Sequence, residues 1–270
     1  MNLKLPFIPE RTKKPREEGL TMMMDKGLST SEVECFIESS GEFTDLVKFG
    51  FGTALITNKL KEKIELYKQA HIRPYFGGTL FEMFAIRNMF DEFRKFISKY
   101  GLDLVEVSDG SIYLPHEEKL KYIDVLSKEV TVLSEVGSKQ RGVIIPADKW
   151  VEMMRTELDT GSWKVIAESR ESGTIGIYDC NGLANESLIS DIAEHIDSHE
   201  IIWEAPSGKQ QVWFIKQQGP VVNLGNIAAR DVIPLECYRC GLRGDTFFDF
   251  LPPEYQDKKP KSSDYLMKKV

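Results

Sequence analysis

The sequence predicts an α/β fold, a single-domain (β/α)8 TIM barrel, and three observations predict it. Eight short β-rich runs recur along the 270 residues. Most are near-continuously apolar rather than alternating, as strands covered on both faces must be. Helical patterns fill the intervals, and no GxGxxG follows the first run, which argues for a closed parallel barrel over a doubly wound open sheet.

The runs are LTMMM (20–24), DLVKF (45–49), IRPYF (72–76), LVEV (104–107), VTVLSEV (130–136), WKVIAE (163–168), EIIWEA (200–205) and VVNL (221–224). After the second run, Asn58 is placed to cap a helix with Leu60, Ile64 and Tyr67 on one stripe. Thr79 to Glu82 has the form of a capping box opening a helix that carries Phe81, Phe84, Phe93 and Phe96. Pro115 and Pro146 suit the first helical position before Leu120/Ile123 and Trp150/Met154. Further helices are predicted over 185–197, over 209–218 with Gly219 as its stop, and over 231–241. Residues 1–18 read as an irregular lead-in, 19–251 as the barrel and 252–270 as a polar tail.

Composition narrows the function classes. With 41% hydrophobic and 29% charged residues, the chain suits one large soluble domain or two small ones, and no stretch approaches the roughly 20 apolar residues that span a bilayer. The opening residues lack the apolar core of a secretory signal, so a cytoplasmic setting is expected. The net charge of −7 disfavours nucleic acid or an anionic membrane as partner. Cys237 and Cys240 form a CxxC without a second pair or flanking histidines, and are expected to be structural. The four histidines fall in or beside predicted helices and are expected on the surface or in packing.

In a barrel of this kind the site forms at the C-terminal strand ends, so the residues closing each apolar run are the candidates. They are Asp25 and Lys26; Lys48 with Gly50 and Gly52; Gly77, Gly78 and Thr79; Ser108, Asp109 and Gly110. The later runs add Glu135 with Lys139; Glu168, Arg170 and Glu171; Glu204; and Asn223, Gly225 and Asn226. Lysines and an arginine facing one mouth beside several carboxylates suit an anionic substrate with a divalent cation. Glycines permit the close backbone approach that phosphates need. Gly225 and Asn226, with Arg243 further on, occupy the place where many barrels hold phosphate. Each element also has a plainer reading: strand-end charges are often solvated, Gly77-Gly78 suits a tight turn, and Met22 to Met24 suits the core.

Taken in order, DKG (25–27), KFGFGT (48–53), GGTLFE (77–82), SDG (108–110), EVGSK (135–139), ESRESG (168–173), WEAP (203–206), VNLGNI (222–227) and LRGDTF (242–247) resemble the phosphosulfolactate synthase family, which includes plant heat-stress-associated relatives. The resemblance implies a Mg²⁺-dependent lyase adding sulfite to C3 of phosphoenolpyruvate to give (2R)-phospho-3-sulfolactate, in coenzyme M or sulfolactate formation. It implies Lys139 as the proton donor to C2, with a depressed pKa; Arg170, Lys48 and Lys26 as further catalytic cations; and Glu135, Glu168 and Glu204 as metal ligands. Gly77, Gly78, Ser108, Asp109, Asn223, Gly225, Asn226 and Arg243 are then the substrate- and phosphate-binding candidates. Ser138 stands where the family pattern leads one to expect a second basic residue. A non-catalytic heat-stress barrel, or another barrel lyase or aldolase acting on a small phosphorylated anion, stays open, as does homo-oligomerisation.

Overall fold

Successive residues of a strand face opposite ways, so each apolar run has one set of side chains for the barrel interior and one for the helices outside. The computed structural model describes residues 3–140, 142–170 and 172–260. Its strands are β1 (Thr21–Asp25), β2 (Leu46–Phe49), β3 (Arg73–Phe76), β4 (Leu104–Ser108), β5 (Thr131–Val136), β6 (Ser162–Ala167), β7 (Ile201–Glu204) and β8 (Leu224–Ala228). The helices are α1 (Thr30–Ser40), α2 (Leu60–Gln69), α3 (Gly78–Ala85), α4 (Phe90–Lys99), α5 (His116–Ser127), α6 (Ala147–Thr160), α7 (Glu186–His195), α8 (Gly208–Gln218) and α9 (Val232–Arg239).

Met22, Leu46, Tyr75, Leu104, Leu133, Ile166 and Ile202 fill the lower interior. Their strand neighbours Met23, Val47, Val105, Val132, Val165 and Trp203 join the larger core beneath the helices. The strands run in the order β3-β2-β1-β8-β7-β6-β5-β4, paired in parallel throughout. The two end strands, β3 and β4, lie side by side and nearly close the (β/α)8 barrel, but no main-chain ladder joins them among the described residues. Side chains stitch this seam instead. Arg73, opening β3, donates to Asp103 Oδ2 at 3.1 Å and to the Asp103 carbonyl at 3.2 Å. At the other end the Gly78 N–H donates to Glu106 Oε1 at 2.5 Å.

Several local expectations shift. Helix α2 follows Lys59, whose left-handed φ of 55° makes the N-terminal turn, so Asn58 is not its cap. Helix α3 starts at Gly78, a residue before the expected box, and Glu82 turns inward to Ser108 rather than back to the helix end. The aromatic helix is two helices, separated by a turn in which Asn88 has φ 55°. Pro115 and Pro146 sit just outside their helices instead of opening them.

The eighth strand lies later than 221–224. Asn223 serves as an anchor at the N-terminal end of the strands: its Oδ1 accepts the Leu20 N–H at 2.9 Å, and its Nδ2 donates to the His199 and Ile201 carbonyls at 3.1 and 3.0 Å. Regular pairing therefore begins at Leu224. Gly225 and Asn226, expected in the following loop, lie within β8, where a bulge sets these two residues against Met22 alone as Thr21 pairs with Leu224 and Met23 with Ile227.

The N-terminal segment crosses the bottom of the barrel. Arg11 Nε pairs with Glu236 at 2.9 Å and Arg16 with Asp45 at 2.8 Å. Nearby, fully buried Arg239 donates to the Pro220, Val222 and Leu20 carbonyls at 2.6, 2.7 and 3.1 Å. Burial lowers its guanidinium to about 9, with Arg11 adding to the effect. Because buried carbonyls stripped of donors are costly, Arg239→Met should lower unfolding free energy by about 3 kcal/mol, seen as an earlier urea midpoint with an unchanged slope.

Candidate active site

The polar layer is built by continuing each apolar interior column two residues upward. Leu46 is followed by Lys48, Leu104 by Glu106 and Ser108, Leu133 by Glu135, Ile166 by Glu168, and Ile202 by Glu204. All of these polar residues are buried. All but Ser108 line a cavity of about 250 Å³ at the C-terminal mouth, walled also by Met24, Phe51, Gly78, Thr79, Ser111, Lys139, Arg170 and Asn226.

Lys48 reaches Glu106, Glu135 and Glu204 at 3.1, 3.4 and 3.1 Å. Lys139 sits beside Glu135, 3.1 Å from Glu168 and 3.9 Å from Glu82. Ser108 Oγ lies 2.6 Å from Glu82 Oε1 and 2.8 Å from Glu135 Oε1, and accepts from Lys139 at 3.2 Å. A hydroxyl carries one proton, so only one of the two carboxylate contacts is a Ser108 donation; the other needs the proton on the carboxylate.

Burial works against every charge here, and the neighbours decide the outcome. It opposes ionisation of Glu135, but the Lys139 and Lys48 ammoniums outweigh it and hold that carboxyl well below the usual range. Burial, then the negative Glu135, push Glu168 well up. Burial raises Glu204 against the pull of Lys48, and raises Glu106 to about 7 against the same lysine. It would lower both lysines, yet Glu106, Glu204 and Glu135 around Lys48, and Glu135, Glu168 and Glu82 around Lys139, keep them well above the ordinary amine value. The depressed Lys139 expected for a proton donor is therefore absent, because its nearest neighbours are anions.

Glu135, Glu168 and Glu204 each bring one oxygen within 4.8 Å of the others and are buried, so this acidic triad could bind a metal. The donor set fits a hard cation: carboxylate oxygens alone suit Mg²⁺ or Ca²⁺. With Glu82 and Glu106, five carboxyl groups face the two ammoniums of Lys48 and Lys139, and a cation entering the triad would displace the protons that burial favours on Glu168 and Glu204.

The other predicted residues divide. Gly77 packs against the Lys48 side chain, and Gly78 lines the cavity with its N–H already taken by Glu106. Arg170, at φ 55°, lines the cavity, donates its backbone N–H to Glu168 and reaches the Lys139 carbonyl at 3.3 Å. Asn226 lines it too, whereas Gly225 packs against Met22 and Ile202 inside the barrel. Four more are not brought to the chamber. Lys26 lies on an exposed loop beside Gly50. Asp109 is turned to buried Lys119 at 2.9 Å. Asn223 anchors the opposite end of the strands. Arg243 pairs with Asp245 at 3.3 Å. Asp25 likewise faces α2, held by Lys63 at 2.7 Å and Tyr67 at 3.0 Å. Glu171 lies outside the described residues.

Sequence reasoning missed Glu106 and Glu82. Glu106 was hidden inside an apolar run, although the spacing Leu104-x-Glu106-x-Ser108 carries the interior period of two. Glu82 was absorbed by the capping-box pattern.

A (β/α)8 barrel with a carboxylate–lysine chamber at its C-terminal mouth defines a barrel of the enzyme class. Residues 9–245 match the family model of (2R)-phospho-3-sulfolactate synthase (ComA), and the chain belongs to that family. It is 40% identical over 244 residues to a phosphosulfolactate synthase of Bacillus subtilis, covering 89% of this chain and 97% of the relative. It is 41% identical over 237 residues to one of Methanocaldococcus jannaschii, covering 86% and 94%. The Arabidopsis thaliana protein HEAT-STRESS-ASSOCIATED 32 is also similar, at 22% over 255 residues, covering 85% and 88%. Among solved structures, a HpcH/HpaI aldolase/citrate lyase family protein of Burkholderia cenocepacia matches in fold, with a TM-score of 0.51 at 10% identity over 84% of this chain and 94% of that one.

The raised Glu106 gives a pH test with a definite sign. Between its ordinary value of 4.5 and about 7, the folded protein keeps a proton that the unfolded chain has released. Stability contributed by this residue is therefore present below about 4.5 and lost as pH rises to about 7. Glu106→Gln should remove that slope. In metal-free buffer, the melting temperature of the wild type minus that of the variant should fall steadily across this window; a flat difference would contradict the burial argument.

Proposed function

We propose that this chain is a phosphosulfolactate synthase, a lyase that joins sulfite to phosphoenolpyruvate. The observation that carries the reading is the family match at about 40% identity to proteins of that name, and the chamber supplies groups the chemistry needs. The sulfite sulfur forms a bond to C3, the C2–C3 π pair moves to C2, and C2 takes a proton from Lys139 Nζ, which water later restores. Glu135, Glu168 and Glu82 keep Lys139 protonated, as a donor must be, and release becomes favourable once negative charge has developed at C2. Arg170 is a cation for the substrate anions, while Lys48 acts from below by pinning Glu135 and Glu204.

Glu135, Glu168 and Glu204 would hold Mg²⁺, which would supply Lewis-acid stabilisation of charge on the substrate carboxylate. A cytoplasmic setting belongs to the same proposal, since phosphoenolpyruvate is made there. An aldolase using Lys48 as a Schiff base is disfavoured, because three carboxylates hold that amine protonated and un-nucleophilic. The heat-stress reading rests on a 22% relative and has no particular feature of the chamber in its favour.

The test is ³¹P NMR of phosphoenolpyruvate and sulfite with the protein. A new phosphate-ester resonance should need protein, sulfite and Mg²⁺ together, and should vanish with chelator. Lys139→Ala should cut turnover by about 10²-fold or more with a native circular dichroism spectrum. No conversion across pH and divalent ions would overturn the synthase reading.

A further inference from the structure

Asn226 differs from the other polar residues of the chamber. It sits inside β8 with φ 57°, a left-handed conformation that side-chain-bearing residues rarely adopt in a strand and that asparagine tolerates best after glycine. It is only 6% exposed, lines the cavity, and its Oδ1 has no hydrogen-bond partner among the described residues. A strained backbone and an unsatisfied buried amide thus coincide at one residue, and neither serves packing, since glycine would relieve both.

We propose that Asn226 determines specificity by donating its side-chain amide to the phosphate group of the phosphorylated substrate. The assignment rests on the reaction proposed above. The amide O and N exchange places by rotation, so the unsatisfied end becomes a donor when an anion enters. Neutrality is the useful property here. A lysine at this place would be drawn onto one of the five carboxylates, as Lys48 and Lys139 are, whereas an amide stays available. Position points the same way. The acidic triad and Lys139 come from β5 to β7, where the substrate carboxylate and reacting carbons belong. The phosphate then extends towards β8, the side on which many barrels receive one.

Asn226→Ala, Asn226→Asp and Asn226→Gly test this by calorimetry and steady-state kinetics. All three should raise the Kd and KM for phosphoenolpyruvate by about tenfold or more, with kcat within about threefold, and the Asp variant should be worst through repulsion. Binding of inorganic phosphate should weaken in parallel, while sulfolactate, which lacks phosphate, should bind each variant as it binds the wild type. A Gly variant that binds phosphoenolpyruvate normally would reduce Asn226 to a backbone role and overturn the proposal. Equal loss for sulfolactate would assign the amide to the other end of the substrate and overturn it too. A wild type that binds no phosphoenolpyruvate would overturn the reaction itself, whatever the variants do.

Discussion

Lys48 sends its ammonium from β2 into the barrel interior, where Glu106 of β4, Glu135 of β5 and Glu204 of β7 close on it at 3.1, 3.4 and 3.1 Å. A buried charge persists only when it is paired, so this one cation obliges three other strands to deliver carboxylates to the same place. Glu135 also engages Lys139, and with Glu204 and Glu168 it makes up the buried triad that could bind a metal. The apolar plug of Met22, Leu46, Leu104, Leu133, Ile166 and Ile202 keeps water from relieving the arrangement from below. Electrostatics and packing act as one unit, since each charged residue stands two positions beyond an apolar one on its strand.

How far the sequence was legible follows from what each signal measures. The eight strands were visible because burial on both faces leaves apolar runs that no loop would carry. Lys48, Glu135, Glu168, Glu204, Lys139 and Arg170 were visible because they end or follow such runs. The start of β8 was not, because Val221 and Val222 look like strand while the Asn223 side chain is consumed by carbonyls at the barrel bottom. Nor could the one-dimensional pattern say which way a strand-end residue faces: Asp109 and Asp25 are turned to lysines on helices α5 and α2, while Glu106, unremarkable within an apolar run, is on the chamber wall. Glu82 fitted a local helix-start pattern as well as it fits its actual partner, Ser108, 26 positions away. Direction and long-range partnership are tertiary properties, and local spacing does not contain them.

The seam between β3 and β4 has a consequence for descent. Where other neighbouring strands share main-chain bonds, this pair is held by Arg73 to Asp103 at one end and by Gly78 to Glu106 and Ser108 to Glu82 at the other. The upper fastenings are also residues in or beside the chamber. A lineage that abandoned the chemistry would still be selected to keep Glu82, Glu106 and Ser108, because losing them would loosen the barrel itself. Retention of these three in a distant relative is therefore a sign of closure and says nothing about turnover, whereas Lys139 and Arg170, which fasten no seam, are free to drift once catalysis lapses.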